Sequence, residues 1–383
     1  MSKLKEWFQK ETVLCIALLL AVISSFVVFP DREYLTYIDF HTLAILFCLM
    51  CVMAGLQKLG VFSLIARKLL GTIKSSSQLE EILIFLCFFF SMLITNDVAL
   101  ITFVPFTFTV LELLGEEKQR RMAIPIVVLQ TIAANLGSMF TPIGNPQNLY
   151  LYGQSGMSLI AFLKLMLPYT LLSFLLLLFA CFLLGRKEKS APLEVAFPEK
   201  QSLSGKGKKL VAYFVLFVLC LLTVADLISV WITLGVVLIV QLILDREVLK
   251  RVDYSLLLTF VGFFVFIGNM GRVPAFSEVL QRLVKDNEVV TAVLSSQVIS
   301  NVPAALLLSG FTDNYKELVI GTNLGGLGTL IASMASLISY KYVAKESEKA
   351  VIGTKGKYLF VFTLANVGFL AVLTLAYVVI NVI

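Results

Sequence analysis

Four short stretches of this chain carry polar residue types where the surroundings are apolar. Thr95-Asn96-Asp97 lies at the centre of the run 82–111, which holds no other charge, and Ser300-Asn301-Val302-Pro303 at the centre of 289–312. Asn135, Thr141, Asn145 and Asn148 fall in 122–150 among Gly137, Pro142, Gly144 and Pro146, and Thr322, Asn323 and Thr329 fall in 318–340 among Gly321, Gly325, Gly326 and Gly328. Their hydroxyl and amide oxygens are hard ligands for Na⁺, and their amides are donors for an anion. Helices broken at such points add free N–H groups and partial positive charge. The chemistry on offer is binding of a small anion (Thr95, Asn96, Asn135, Thr141, Asn145, Asn148, Ser300, Asn301, Thr322, Asn323, Thr329) beside a coupling ion (Asp97, Asn96, Asn301). The bland alternative is that Asn, Ser and Thr only bond helix to helix. Residue by residue the two readings stand level; the concentration of the set on Gly and Pro breaks favours binding.

Asp97 stands apart as the one acidic residue deep in an apolar stretch. A mid-membrane charge costs several kcal/mol unless paired, so Asp97 is the first candidate to carry H⁺ or Na⁺. It also reads as an ordinary acidic cap on the second hairpin arm, and the two roles are compatible. Metal and nucleophile chemistry of other kinds finds no support. The chain has a single His, His41, and its six Cys all sit in apolar runs. Cys48 and Cys51 have C-x-x-C spacing without a second pair, so they read as small buried hydrophobes. No cofactor is implied beyond Na⁺ as a coupling ion.

These residues sit in a chain of 383 residues that is 58% apolar and only 15% charged, with a mean hydropathy of +0.92. Soluble domains run near 45–50% apolar and about 25% charged. The composition excludes a soluble enzyme and a disordered chain, and makes lipid the solvent. The expected fold class is an all-α polytopic membrane protein. It has about nine crossings, two re-entrant hairpins and two inverted repeats with broken helices.

A span needs about 20 apolar residues. The run 12–29 follows Lys3, Lys5 and Lys10 and resembles a signal peptide, but no small-residue cleavage site follows, so an uncleaved helix is expected. Run 82–111 is too long for one span, and its arms of about 14 residues reach only about 21 Å; it reads as a hairpin. Run 289–312 repeats the design. The polar, breaker-rich stretches 122–150 and 318–340 read as half-helices joined by unwound backbone, which is tolerated only against protein or a water-filled cavity. Stretches 60–74 and 274–285 are amphipathic, and Lys164 is expected on a short interfacial helix with its amine snorkelling to water.

With the N-terminus cytoplasmic and the C-terminus outside, 25 of the 31 Lys and Arg fall inside and 5 outside. That split follows the positive-inside rule and explains the net charge of +6 without nucleic acid. It places the chain as a multi-pass protein of the plasma (inner) membrane, with the bilayer as its surroundings. The domain plan is an N-terminal repeat 1–185, a basic cytoplasmic linker 186–209, and a C-terminal repeat 210–383. Asp39-Phe40 pairs with Asp253-Tyr254, Ile94-Thr95-Asn96 with Ile299-Ser300-Asn301, and 134–143 with 322–331 at five identical positions of ten. An odd number of crossings between matched spans makes the repeats inverted, the plan of many secondary transporters.

TNDVALITFVPF at 95–106, TPIGNPQN at 141–148, ISNVPA at 299–304 and GTNLGGLGTLIAS at 321–333 resemble the ion-transporter superfamily. It comprises citrate transporter-like permeases, divalent anion:sodium symporters, arsenite pumps and Na⁺/H⁺ antiporters of the same group. The resemblance runs from about residue 35 to the end. It implies a scaffold plus a mobile transport unit, elevator-type alternating access and a homodimer. The symporters carry Ser-Asn-Thr at both hairpin tips to hold carboxylates. Here the first two positions match, as Thr95-Asn96 and Ser300-Asn301, and the third is Asp97 or Val302. Asn96-Asp97 is more similar to the first tip of the arsenite pumps. The function expected is secondary transport of a small anion coupled to H⁺ or Na⁺. The alternatives are cation/proton antiport or metalloid oxyanion efflux through Asp97. A channel fits inverted repeats poorly, and an enzyme lacks its His, Ser–His or Asp-cluster machinery.

Overall fold

A computed structural model describes residues 11–71, 73, 75–185, 207–348 and 352–381. All its α and 3₁₀ elements are helices that follow from apolar runs and their punctuation. In chain order they are α1 (Thr12–Val27), α2 (Tyr34–Tyr37), α3 (Phe40–Leu59), α4 (Val61–Leu70), α5 (Ser76–Ile94), α6 (Asn96–Leu113), α7 (Glu116–Ser138), α8 (Pro146–Ser155), α9 (Leu159–Gly185), α10 (Gly207–Val224), α11 (Val230–Leu244), α12 (Tyr254–Gly271), α13 (Pro274–Val284), α14 (Glu288–Ile299), α15 (Asn301–Ser309), α16 (Tyr315–Leu324), α17 (Met334–Ser347) and α18 (Lys355–Asn381). Eight are long and apolar enough to cross a membrane, and α1, α11 and α14 are shorter apolar helices. The protein is a polytopic all-helical membrane protein. Most of the expected linker, 186–206, lies outside the described residues.

Equivalent residues start equivalent helices. Asp39 caps α3 by accepting from the Thr42 N–H, and Asp253 caps α12 by accepting from the Leu256 N–H. Their backbones coincide, at φ −78°, ψ 84° and φ −78°, ψ 82°. Gly60 then ends α3 at φ 80°, a left-handed turn that needs no Cβ. The amphipathic α4 and α13 follow. Arg272, after α12, bonds Asp31 at 2.7 Å and holds that carboxyl below its ordinary pKa.

Both hairpins turn on one residue between helices, but they are unequal. The second has arms of 12 and 9 residues, as short as expected. The first has arms of 19 and 18 residues, about 28 and 27 Å at the α-helical rise, not the 14 expected. Counting only uncharged residues stops the first arm at Ile82. The helix instead runs back to Ser76, where the Ser75 side chain accepts from the Gln78 N–H and Glu80 is buried. A second correction concerns Lys164. It is exposed, but on the unbroken 27-residue α9, which passes through Pro168. No separate interfacial helix forms, because Pro168 comes late enough for the preceding turns to join the span.

The broken helices appear where Gly and Pro interrupt the apolar pattern. α7 stops at Ser138 and α8 starts at Pro146, with a 3₁₀ turn over Pro142–Gly144 between them. α16 stops at Leu324 and α17 starts at Met334. Helices α5 and α6 pack on α7, and α14 and α15 pack on α16. The outgoing halves cross over: α8 packs on α15 and α16, while α17 packs on α6 and α7. A second group is formed by α1 with α12 and by α3 with α10 and α11.

Candidate functional site

The two tips have the same unusual backbone. Thr95 has φ 71°, ψ 150°, and Ser300 has φ 74°, ψ 154°. This region is close to glycine-only and costs on the order of 1–3 kcal/mol for other residues, a conformation that clusters at functional sites. The Thr95 hydroxyl accepts from the Val98 N–H, capping α6. Thr95→Ala keeps the strained backbone and loses the cap, so it should lower stability by about 1 kcal/mol. Thr95→Gly loses the same cap but relieves the strain, so it should melt above the Ala variant in a thermal scan. A Gly variant melting below the Ala variant would mean the tip is not strained.

Each incoming hairpin arm lies close on its broken helix. A Cβ at Gly137 would collide with the Phe88 carbonyl and the Ser91 hydroxyl, and one at Gly325 with the Ser296 hydroxyl. Ser91 and Ser296 are each three residues before the isoleucine that ends their arm. Glycine is required at both positions to bring the arm this near.

Two asparagines join the halves. Asn135 Oδ1 accepts from Asn96 Nδ2 at 3.0 Å and from the Ser333 hydroxyl at 3.0 Å, and Asn135 Nδ2 donates to the Gly326 carbonyl at 3.4 Å. Asn323 Oδ1 accepts from Asn145 Nδ2 at 3.4 Å, and Asn323 Nδ2 donates to Asn148 Oδ1 at 2.6 Å and to the Val319 carbonyl at 2.7 Å. The arrangement is a pseudo-two-fold. Ser333 lies ten residues after Asn323, as Asn145 lies ten after Asn135. Both are N-caps in extended conformation, of α17 and α8. Each asparagine thus meets the cap residue of the other half. Asn145 and Asn148 also bond Ser138, through its hydroxyl at 2.7 Å and its carbonyl at 3.3 Å. Asn96, Asn135, Asn145, Asn148, Asn301 and Asn323 are all buried.

The remaining expected residues surround this cluster or lie away from it. Asn301 donates its backbone N–H to the Ala332 carbonyl, and its side-chain amide lies against Gly326. Ser300 donates to the same carbonyl at 3.4 Å. The Thr141 hydroxyl donates to the Met92 carbonyl, tying the first unwound segment to the first hairpin. Thr322 spends its hydroxyl on Leu318 in its own helix. Thr329 is exposed and bonds Gln297. Asp97 is half-buried in the first turn of α6, and its Oδ1 is buried without a hydrogen bond. No Lys or Arg bonds any member of the asparagine cluster, and no group of three His, Cys, Asp or Glu that could hold a metal occurs among the described residues.

Sequence reasoning missed Ser138, Ser333, Gly326 and Gln297. The ten-residue spacing shared with Asn145 was a usable signal for Ser333. Gln297 had one as well, since it lies three residues before a tip; its amide holds the Gly325 and Leu327 carbonyls at 3.1 and 2.9 Å. A cavity of about 260 Å³ lies apart from the cluster, between α3, α8 and the end of α10, with Asp39, Tyr152, Gln154 and Asp226 in its wall.

Broken helices, twinned hairpin tips and a buried amide cluster form a transporter's architecture, and the relatives agree. The chain is 32% identical over 330 residues to the inner membrane protein YbiR of Escherichia coli, covering 83% of this chain and 84% of that protein. It is 33% identical over 317 residues to the uncharacterized transporter MJ0456 of Methanocaldococcus jannaschii, covering 81% and 82%. A shorter match, 34% over 142 residues, covers 37% of this chain and 28% of the silicon efflux transporter LSI3 of Oryza sativa subsp. japonica. The sequence model described as "Citrate transporter" matches residues 4–314, and by that match the chain belongs to the citrate transporter (CitMHS) family of membrane transporters.

Proposed function

We propose that this protein moves a small anion across the membrane, coupled to H⁺ or Na⁺, by elevator-type alternating access. The observation that carries the reading is the reciprocal bonding of Asn135 and Asn323 to the opposite half's cap residue. It supports a single midplane site made by two inverted halves, to which four half-helix N-termini contribute. Alternating access is supported by the two packing groups, which meet where α3 borders α8 and α12 borders α15. The bond from Gln154 to Asp39 crosses that border at 3.0 Å. Asp97, Asn96 and Asn301 offer oxygens for the coupling ion. Counterflow into proteoliposomes tests the reading. External labelled solute should accumulate transiently only when unlabelled solute is loaded inside, and transport insensitive to trans-loaded solute would indicate a channel.

A second reading, metalloid oxyanion efflux or cation/proton antiport, is favoured by the unpartnered Asp97 oxygen and by the silicon efflux relative. Under it, Asp97 carries the exchanged cation.

The orientation has the N-terminus in the cytoplasm and the C-terminus outside. After removal of the native Cys, of which only Cys15 is not fully buried, single Cys at the exposed positions 153, 154 and 156 should react with an impermeant maleimide in intact cells. Cys placed at 187–206 should react only after permeabilisation. The reverse pattern would invert the topology.

A further inference from the structure

Gln147, the second residue of α8, is 0% exposed, yet neither its side-chain oxygen nor its nitrogen has a hydrogen-bond partner. Its neighbours differ. Asn145 and Asn148 both spend their amides inside the cluster. Native proteins seldom leave a buried polar group unmade, and each case calls for a ligand, an ion or a water. Here a donor and an acceptor on one rigid amide plane are left open together.

The position of Gln147 shows what it can meet. Residues three and four apart share a helix face, so Gln147 lies one turn before Tyr150 and Leu151. The Tyr150 hydroxyl meets Ser309 of α15 at 2.9 Å, and its ring packs on Phe260 and Phe264 of α12. By that spacing Gln147 falls near the side of α8 that carries Tyr150 to α15, the helix that begins at the second tip with Asn301. Asn148, about 100° further round α8, looks toward Asn323.

A halide or a fully deprotonated oxyanion accepts from the amide nitrogen but leaves the amide oxygen bare. A cation does the opposite. We propose that Gln147 binds the cargo directly, and that the cargo is an oxyacid keeping at least one O–H when bound. A bare cargo oxygen accepts from Gln147 Nε2, and a cargo hydroxyl donates to Gln147 Oε1. This rests on the carrier reading above and narrows it from small anions in general to hydrogen-bearing oxyacids.

The test is thermal stabilisation of the purified full chain, since a ligand of the folded state raises its melting point by mass action. The probes are inorganic phosphate, arsenate and bicarbonate, anions that keep an O–H at neutral pH, with nitrate and chloride as probes lacking one. At least one O–H probe should stabilise the wild type saturably, and nitrate and chloride should not. Gln147→Met fills a similar volume without hydrogen bonds. Its half-stabilising concentration should rise about tenfold, the loss of roughly one net hydrogen bond, while its probe-free melting point stays equal to or above the wild type's. Gln147→Asn keeps both polar atoms and should fall between. Stabilisation by nitrate or chloride to the same degree overturns the proposal, as does a wild type that none of the O–H probes stabilises. So does a Gln147→Met protein that melts lower, fails to fold or keeps wild-type affinity, because the amide then serves a fixed water or packing. Wild-type counterflow alongside such a result leaves the carrier reading standing; absent counterflow removes both.

Discussion

Asn135→Leu and Asn323→Leu are each expected to reduce counterflow to the background of empty liposomes while the protein is still recovered folded. Among the described residues, Asn135 alone bonds the first hairpin, through Asn96, and the second broken helix, through Ser333 and Gly326, at once. Asn323 ties the second broken helix to the first through Asn145 and Asn148, and bonds neither hairpin tip. In membrane interiors such bonds average about 0.6 kcal/mol each. Losing the set therefore costs about 1–3 kcal/mol, against a typical total of 5–15 kcal/mol. The fold survives that loss, but the site does not. Without the Asn135 amide, the first hairpin tip and Ser333 no longer share an acceptor; without the Asn323 amide, Asn145 and Asn148 lose their tie to the second broken helix. A structural brace with no part in binding would give the opposite profile, lower yield with normal turnover per folded molecule. Wild-type counterflow rates in both variants would remove the pair from the site.

Much of this site was legible because breaks are legible in lipid. Gly, Pro and Asn in the middle of an apolar run have few explanations, and 122–150 and 318–340 broke where those residues stand. The capping aspartates Asp39 and Asp253 were legible too, since an acidic residue just before an apolar run is a start signal. Arm length was not. Charge marks the end of a span but not of a helix, and α5 continues through Glu80 and Glu81 to Ser76. The tip backbone was hidden because a β-branched Thr95 argues against a positive φ, and only surrounding structure can impose one. Ser138 and Ser333 were hidden for a plainer reason. A lone Ser in an apolar helix usually bonds its own carbonyl four residues back, as Thr322 does here. Residue type alone does not separate the serine that bonds across the halves from the threonine that bonds inward; the pseudo-two-fold does.

Asp97→Asn should keep cargo binding and exchange but lose gradient-driven accumulation. Asp97 has no ion pair among the described residues, and its buried Oδ1 has no hydrogen bond. It follows Asn96, whose Oδ1 accepts from the Asp97 backbone N–H at 2.9 Å while its Nδ2 holds Asn135. A charge on Asp97 therefore lies one residue from the cluster. Two unit negative charges about 4 Å apart repel by on the order of 4 kcal/mol at an effective dielectric of 20. That is close to a thousandfold in affinity. Under the proposed symport, binding H⁺ or Na⁺ at Asp97 removes the repulsion, so ion and anion favour each other's binding, and that is how the two would be coupled. Asparagine mimics the neutral state permanently. Cargo affinity in the variant should match that of the ion-saturated wild type, and should no longer respond to Na⁺ or to pH. In the antiport alternative the same variant loses all activity, because the exchanged cation has no site. The two outcomes are separable in one preparation, by measuring counterflow and ion-driven uptake side by side. Unchanged accumulation and unchanged ion dependence would leave Asp97 as a first-turn acidic residue that only favours the α6 dipole.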